Sequence, residues 1–346
     1  MMIDILLTAI ILAGLALSAL LNARQSDNHF FMSKSYTDWL KGICAIIVIM
    51  VHVKENQQNP LQDAIGSFAF VAVTFFFLFS AWGMQFSVEN KKSYLSHFWR
   101  NRLTSLLIPC LLINLCVFLY HCIEGQSFLW REVFHISGYV QVLLQYCLLF
   151  YIVMVVSKWL DNKNKVLTDC LLVGGVIISS LYLYLLSDDN VLSSEKGWCY
   201  ERFGLVWGLL AYRYRKPLLR WLNDQRKQKI VIALLLCLFI GVAYLKLKTE
   251  WFYGEYCLKI VLGFVIILFV FLVTQQLSFG NKISRLLGDI SYEVYLSHGW
   301  IMNIIAAHYP SLRSGLFLIL SVAITLLFSY LIHLVGSFAV KKLRAK

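Results

Sequence analysis

Long apolar runs alternate with short polar breaks along the whole chain, near residues 3–22, 39–53, 64–88, 103–123, 139–160, 166–186, 197–212, 229–247, 256–276, 289–308 and 314–340. Most approach the roughly 20 residues that a helix needs to cross a hydrocarbon core of about 30 Å. The weak runs are 39–53 and 197–212, which are short and carry charge. With only four prolines, no repeat of fixed period and no low-complexity linker, the pattern reads as one integral domain. It predicts an all-α, polytopic integral membrane helical bundle with about 10–11 transmembrane helices.

Composition agrees. Of 346 residues, 59% are hydrophobic and 14% charged, against about 45–50% and 25% in soluble domains. This excludes a soluble enzyme, a disordered chain and a fibre. The polar breaks are too short for a catalytic domain outside the bilayer, so any chemistry must lie among the helices or at their ends. The nine cysteines sit in apolar runs, with no CxxC and no zinc-type spacing, so they are read as small hydrophobes. No metal is expected. Neither a phosphate loop, a dinucleotide fingerprint, a GxSxG elbow nor an HExxH motif is present.

The net charge of +12 is not spread evenly. Alternate breaks hold Arg24, Lys34 and Lys41; Lys91, Lys92, Arg100 and Arg102; Lys158, Lys163 and Lys165; the cluster from Arg213 to Lys229; Lys282 and Arg285; and the tail from Lys341. The opposite set holds only Lys54, Arg131, Lys196, Lys246, Lys248 and Arg313. Positive loops stay in the cytoplasm, so the C-terminus is expected inside and, with eleven spans, the N-terminus outside. The charge thus serves topology rather than nucleic-acid binding. The first run has no Lys or Arg before it and a poor cleavage site, so residues 1–22 are expected to be a retained span rather than a signal peptide.

Titratable groups inside a bilayer are expensive and become functional candidates. In the run from Asp38 to His52, Lys41 and His52 are eleven residues apart. Eleven residues turn about 1100°, close to a whole number of turns, and rise about 16–17 Å. A cation at the cytoplasmic end is thereby aligned with a candidate general base near the outer end. In Phe75–Gly83, the small residues Ser80, Ala81 and Gly83 would admit another backbone or a ligand. In Phe98–Pro109, Arg100 and Arg102 end a cytoplasmic loop, and guanidinium suits phosphate. In Gly288–His298, Ser291, Tyr295 and His298 share one helix face, while Asp289 and Glu293 share another. In Tyr200–Gly204, Glu201 and Arg202 do not face each other on a helix and are expected to pair with other helices, through Lys259 or Glu293. Asp188, Asp189 and Glu195 form an acidic outer loop. His29, His97, His121, His135, His308 and His333 are assigned no role.

In order, these segments resemble the membrane-bound acyltransferase type 3 family, which includes sugar and polysaccharide O-acyltransferases. "DWLKGICAIIVIMVH" is similar to the family's basic residue followed eleven positions later by histidine, in the branch where lysine replaces arginine. "FFFLFSAWGM" resembles its F-F-x-x-S-G-x stretch, with Ala81 where glycine is usual. "FWRNRLTSLLIP" resembles R-x-x-R-L-x-x-P, and "ISYEVYLSH" the S-x-x-x-Y-L-x-H ending. The likeness covers about 36–340. Ser105 departs from it, standing where the element's second arginine is usual. The family core has ten spans, so the resemblance divides the chain into an additional N-terminal transmembrane helix at 1–24 and an acyltransferase-like membrane domain at 34–340.

The resemblance implies an acyl-CoA donor, by default acetyl-CoA, with its phosphates near Lys41, Arg100 and Arg102. His52 is then the base that deprotonates an acceptor hydroxyl, with His298 as a second catalytic candidate. The acceptor would be a cell-surface glycan or lipid-linked sugar, and the location the bacterial inner (cytoplasmic) membrane, multi-pass in the lipid bilayer. A transporter or flippase for a glycan or lipid is the alternative. It predicts repeats and matching helix breaks, which the sequence does not display.

Overall fold

The computed structural model describes residues 2–21, 23–26, 30–53, 58–127, 129–159, 165–187 and 196–345. His29, Lys54, Lys163, Asp188, Asp189 and Glu195 lie outside the described residues. The described chain is almost entirely helical: α1 (Met2–Leu20), α2 (Lys34–Val51), α3 (Pro60–Gly66), α4 (Phe70–Asn90), α5 (Phe98–Ile123), α6 (Gly138–Trp159), α7 (Lys165–Leu186), α8 (Phe203–Arg213), α9 (Arg215–Asn223), α10 (Arg226–Leu247), α11 (Lys259–Thr274), α12 (Lys282–His308) and α13 (Ser314–Ala345). A π-helical turn, Tyr253–Leu258, leads into α11. β1 (Arg24–Gln25) and β2 (Leu277–Ser278) form one short antiparallel pair.

Each apolar run is found as a helix, and seven of the helical segments are long and apolar enough to cross a membrane. The protein is thus an all-α multi-pass membrane protein. Several helices outrun their apolar runs at a polar end: α12 begins at Lys282 and α13 continues to Ala345. Asn281 accepts from the Ser284 amide and so caps α12. The two amphipathic pieces α3 and α9 carry too few apolar residues to register as runs.

Run 197–212 is the main departure from a full span. Only Phe203–Arg213 is α-helical, and the chain before it turns at residues 196–202. Eleven residues of helix rise about 16 Å, roughly half of a hydrocarbon core. Arg213 is fixed among Glu89 and Asp169 at one end of the bundle, at 2.9 Å from each. Arg202, at the other end of α8, therefore stands well inside the bundle. Glu201 and Arg202 are both buried in this turn, where Arg202 donates to the Gly197 carbonyl at 2.7 Å.

Ion pairs and hydrogen bonds gather one basic end of the molecule. Arg213 joins the ends of α4, α7 and α8, Arg226 on α10 donates to the Leu272 and Val273 carbonyls of α11, and Lys34 on α2 meets Asp289 on α12. At the opposite end, Asn59 donates to Thr8 and Ser314, tying α1, α3 and α13 together. The start of α1 and the end of α13 lie at opposite ends of the bundle.

Glycines set the closest helix contacts. A Cβ at Gly204 would lie 2.1 Å from the Thr74 carbonyl oxygen, and one at Gly208 would lie 2.2 Å from that of Leu78. This small-xxx-small spacing seats α8 on α4. Gly83, by contrast, has open space beside it, so the expected close approach at 80–83 is made two turns earlier and by the partner's glycines. α2 and α12 are joined in the same way: a Cβ at Gly288 would lie 2.3 Å from Asp38 Cβ, and one at Gly42 would lie 2.6 Å from Leu287 Cβ.

Candidate functional site

The α2–α12 contact fixes the central pair of side chains. The two helices run parallel from the basic end, where Lys34 bonds Asp289 at 3.1 Å. From Gly42 to His52 is ten residues, and from Gly288 to His298 is also ten. Equal rises of about 15 Å from a shared contact bring the two histidines to one level. Their ring centroids lie 4.7 Å apart, edge to face. His298 is buried among α12 neighbours, whereas His52, capping α2, is exposed to a cavity. α12 continues about 15 Å beyond His298 to His308, so the pair sits deep within the bundle rather than at its rim.

Both rings are held by their own helix. His52 Nδ1 lies 2.8 Å from the Val48 carbonyl, and His298 Nδ1 lies 3.2 Å from that of Val294. A carbonyl oxygen only accepts, so Nδ1–H donates in each ring and Nε2 carries the lone pair. Tyr295, one turn before His298, packs at a tilt, 5.8 Å from the His298 ring and 4.3 Å from that of Tyr139. Ser291 bonds the Gly288 carbonyl rather than the histidine.

A cavity of about 330 Å3 opens beside His52. Its walls come from α2, α4, α12, the 196–202 turn, the end of α10 and the start of α11: Val48, Phe70, Tyr295, Trp198, Tyr200, Glu201, Tyr244, Lys248 and Lys259. Lys259 donates to the Tyr200 hydroxyl at 2.8 Å. Beyond it, buried Lys196 reaches both Glu255 carboxylate oxygens at 2.8 Å. Aromatic rings alternate here with charged groups, a lining that offers stacking faces and hydrogen bonds to a polyhydroxylated ligand.

Lys41 stands two turns inside α2 from its basic end, one third exposed, 3.8 Å from Asp38 and 6.0 Å from the Phe79 ring centroid. Arg100 and Arg102 lie at the start of α5. Arg102 donates to the Tyr94 hydroxyl at 2.9 Å, and Arg100 is exposed. Tyr94 also lines a cavity of about 860 Å3 at the basic end, together with Lys91, Lys92 and Lys158. The five sequence candidates thus fall in two places: His52 and His298 together in the interior, and Lys41, Arg100 and Arg102 toward the basic end, with α2 as the connection.

The structure adds residues that the sequence did not single out. Arg344, near the end of α13, donates to the Asn101 carbonyl at 2.6 Å, to Thr104 Oγ1 at 2.9 Å and to Ser105 Oγ. Its guanidinium thereby occupies the neighbourhood of Ser105. Glu293 pairs with His333 of α13 at 2.9 Å, not with Arg202. Arg202 instead binds the neutral acceptors Gly197, Ser179 and Gln145, so its expected pairing with Glu293 is not made, whereas Glu201 and Lys259 line the same cavity. Periodicity on one helix signals neither arrangement, because each partner comes from a distant segment. Among the described residues, no group of three or more His, Cys, Asp or Glu side chains is placed to hold a metal ion, and all nine cysteines are free.

Residues 34–334, most of the chain, match the type 3 acyltransferase family, described as an acyltransferase domain. The chain belongs to the acyltransferase type 3 family. It is a membrane acyltransferase, and the matched stretch contains α2, α4, α5, α12 and both histidines. Arg344 and α1 lie outside the matched stretch. No curated protein and no solved structure is significantly similar to the chain.

Proposed function

We propose that this acyltransferase moves an acyl group, by default acetyl, from cytoplasmic acyl-CoA to a hydroxyl of a cell-envelope glycan or glycolipid, with His52 as general base. The observation that carries the reading is the His52–His298 pair at 4.7 Å, its Nε2 lone pairs uncommitted to the helix backbone and His52 open to the aromatic cavity. Loop charge supports a cytoplasmic basic end; in this reading the cavity faces the outer side of a bacterial inner membrane.

The donor would bind at the basic end. Arg100, Arg102 and Arg344 cluster there without a carboxylate partner among the described residues, a setting for the CoA phosphates. Lys41 stands about 16–17 Å from His52 along α2, so the pantetheine arm would carry the thioester toward the histidines while the nucleotide stays outside.

The transfer step balances simply. His52 Nε2 takes the hydroxyl proton as the acceptor oxygen attacks the thioester carbonyl. The new C–O bond forms, the C–S bond breaks, and the CoA thiolate leaves and takes the proton back from the imidazolium. His298, edge-on to His52 and locked by Val294, holds the base in place and is the second catalytic candidate.

The test is transfer of label from acetyl-CoA to glycan or lipid in membranes containing wild type or His52→Ala at matched amounts of folded protein. Removal of a positioned base costs about 10²–10⁴-fold in rate, so label should fall by that factor. Equal labelling by the two proteins overturns the assignment of His52.

A further inference from the structure

A second cavity of about 310 Å3 lies in the groove between α6 and α7, floored by the start of α8 and lined in part by Tyr146, Gln145, Ser179 and Arg202. The groove opens on the outside of the bundle: Gln145 is exposed on the same stripe of α6 as Leu148 and Ile152, each about half exposed. Its other walls are apolar, including Val142, Leu149 and Val176. A stripe of this kind faces lipid.

The floor of the groove is a cation, and a costly one to place. Arg202 is only 4% exposed. Its Nε donates to the Gly197 carbonyl at 2.7 Å, while Nη1 and Nη2 make long contacts, 3.4 Å to Ser179 Oγ and 3.3 Å to Gln145 Oε1. All three partners are neutral. Among the described residues no carboxylate lies within ion-pair distance of Arg202, and its neighbour Glu201 lines the other cavity beside His52. Charged groups at membrane depth are almost always paired. The backbone is shaped to hold the guanidinium: Gly197 has φ +62°, and a Cβ there would lie 3.2 Å from Arg202 Nη2. The long contacts leave Nη1 and Nη2 open to a stronger acceptor on the side of the groove, and the polar groups beside them, Ser179 and Gln145, are neutral.

We propose that this groove binds the phosphate of an anionic membrane lipid, with Arg202 as counter-ion, Ser179 and Gln145 as the polar groups beside it, and the acyl chains along the apolar walls of α6 and α7. One anionic oxygen group supplies the charge partner that Arg202 lacks among the described residues. Gln145 lies about 10 Å along α6 from Gly138, a depth to which an arginine draws head groups by local thinning of the bilayer. The proposal does not depend on the acyl-transfer reading, because its readout is binding.

The test compares the full chain in nanodiscs of phosphatidylcholine with and without a minority of phosphatidylglycerol. Thermal unfolding is followed, and retained lipid is counted by native mass spectrometry. Phosphatidylglycerol should raise the midpoint by several degrees, as a ligand of the folded state does, with one lipid retained. Arg202→Gln should abolish the shift, and Arg202→Lys, which keeps the charge, should retain part of it. The same shift in wild type and Arg202→Gln, or no shift in wild type, overturns the proposal. Should Arg202→Gln fail to fold, Ser179→Ala, which removes a hydroxyl beside the guanidinium, decides: it should reduce the shift and the retained lipid, and no change in either overturns the proposal. Inorganic phosphate in phosphatidylcholine discs is the control for source: an equal shift from it overturns the lipid assignment in favour of a soluble anion.

Discussion

At the scale of single residues, the chemistry rests on how two imidazoles are oriented. Each histidine uses its own helix, four residues back, to hold Nδ1–H, and the edge-on contact between the two rings adds support. His298→Ala should therefore lower the rate of acyl transfer less than His52→Ala, because it removes support rather than the base; a larger loss in His298→Ala, by the same labelling assay, would reverse the two roles. Arg344 offers a separate test. It sits over Asn101, Thr104 and Ser105 and brings a guanidinium to the place where this chain has Ser105 instead of the family element's second arginine. A charge-assisted contact contributes about 1.5–3 kcal/mol, so Arg344→Ala should raise the KM for acetyl-CoA at least about tenfold and leave kcat nearly unchanged. Ser105→Arg in that background should recover part of the affinity. His52, His298 and Lys41 were legible in the sequence as polar groups in apolar runs, and Arg100 and Arg102 as the basic end of a loop before one. Arg344 was not, because a lysine- and arginine-rich tail reads as topology charge until its contact with α5 is known.

At the scale of elements, glycine placement decides which helices meet. Gly42 and Gly288 let α2 and α12 approach until their Cα and Cβ atoms touch, and Gly204 and Gly208 do the same for α8 on α4. Adding one methyl at Gly204 or Gly208 drives it into a backbone carbonyl of α4, and overpacking of this kind costs about 1–3 kcal/mol or more. Gly83→Ala, facing open space, should stay within about 0.5 kcal/mol of wild type. Thermal unfolding in detergent separates the two cases; equal effects at Gly204 and Gly83 would contradict the packing described. The helices themselves were readable from hydropathy, including the weakness of 197–212. The interface was not, since small residues at 80, 81 and 83 advertise closeness as strongly as Gly204 and Gly208 do, and only the partner's surface tells them apart. The same limit applies to Arg202, whose charge was visible and whose neutral neighbours were not.

At the scale of the whole molecule, the fold divides a membrane-spanning body into a basic end and an opposite cavity, with the histidine pair between them. The half-length α8 matters here: by stopping about 16 Å from Arg213, it leaves the 196–202 turn to wall the cavity with Trp198, Tyr200 and Glu201. The alternation of charged loops carried the overall plan in the sequence. The meeting of His52 with His298 did not follow from it, because a period within one helix says nothing about which helix lies beside it. The central claim is that an acyl group supplied at the basic end reaches a hydroxyl held in the opposite cavity by way of His52. The measurement that tests it most directly uses sealed vesicles of known orientation, with labelled acetyl-CoA confined to the side of the basic end and glycan acceptor on the other. Label on the far-side acceptor with wild type, and its loss with His52→Ala, is the expected result. Label that stays on the donor side, or that crosses equally well with His52→Ala, would contradict the account.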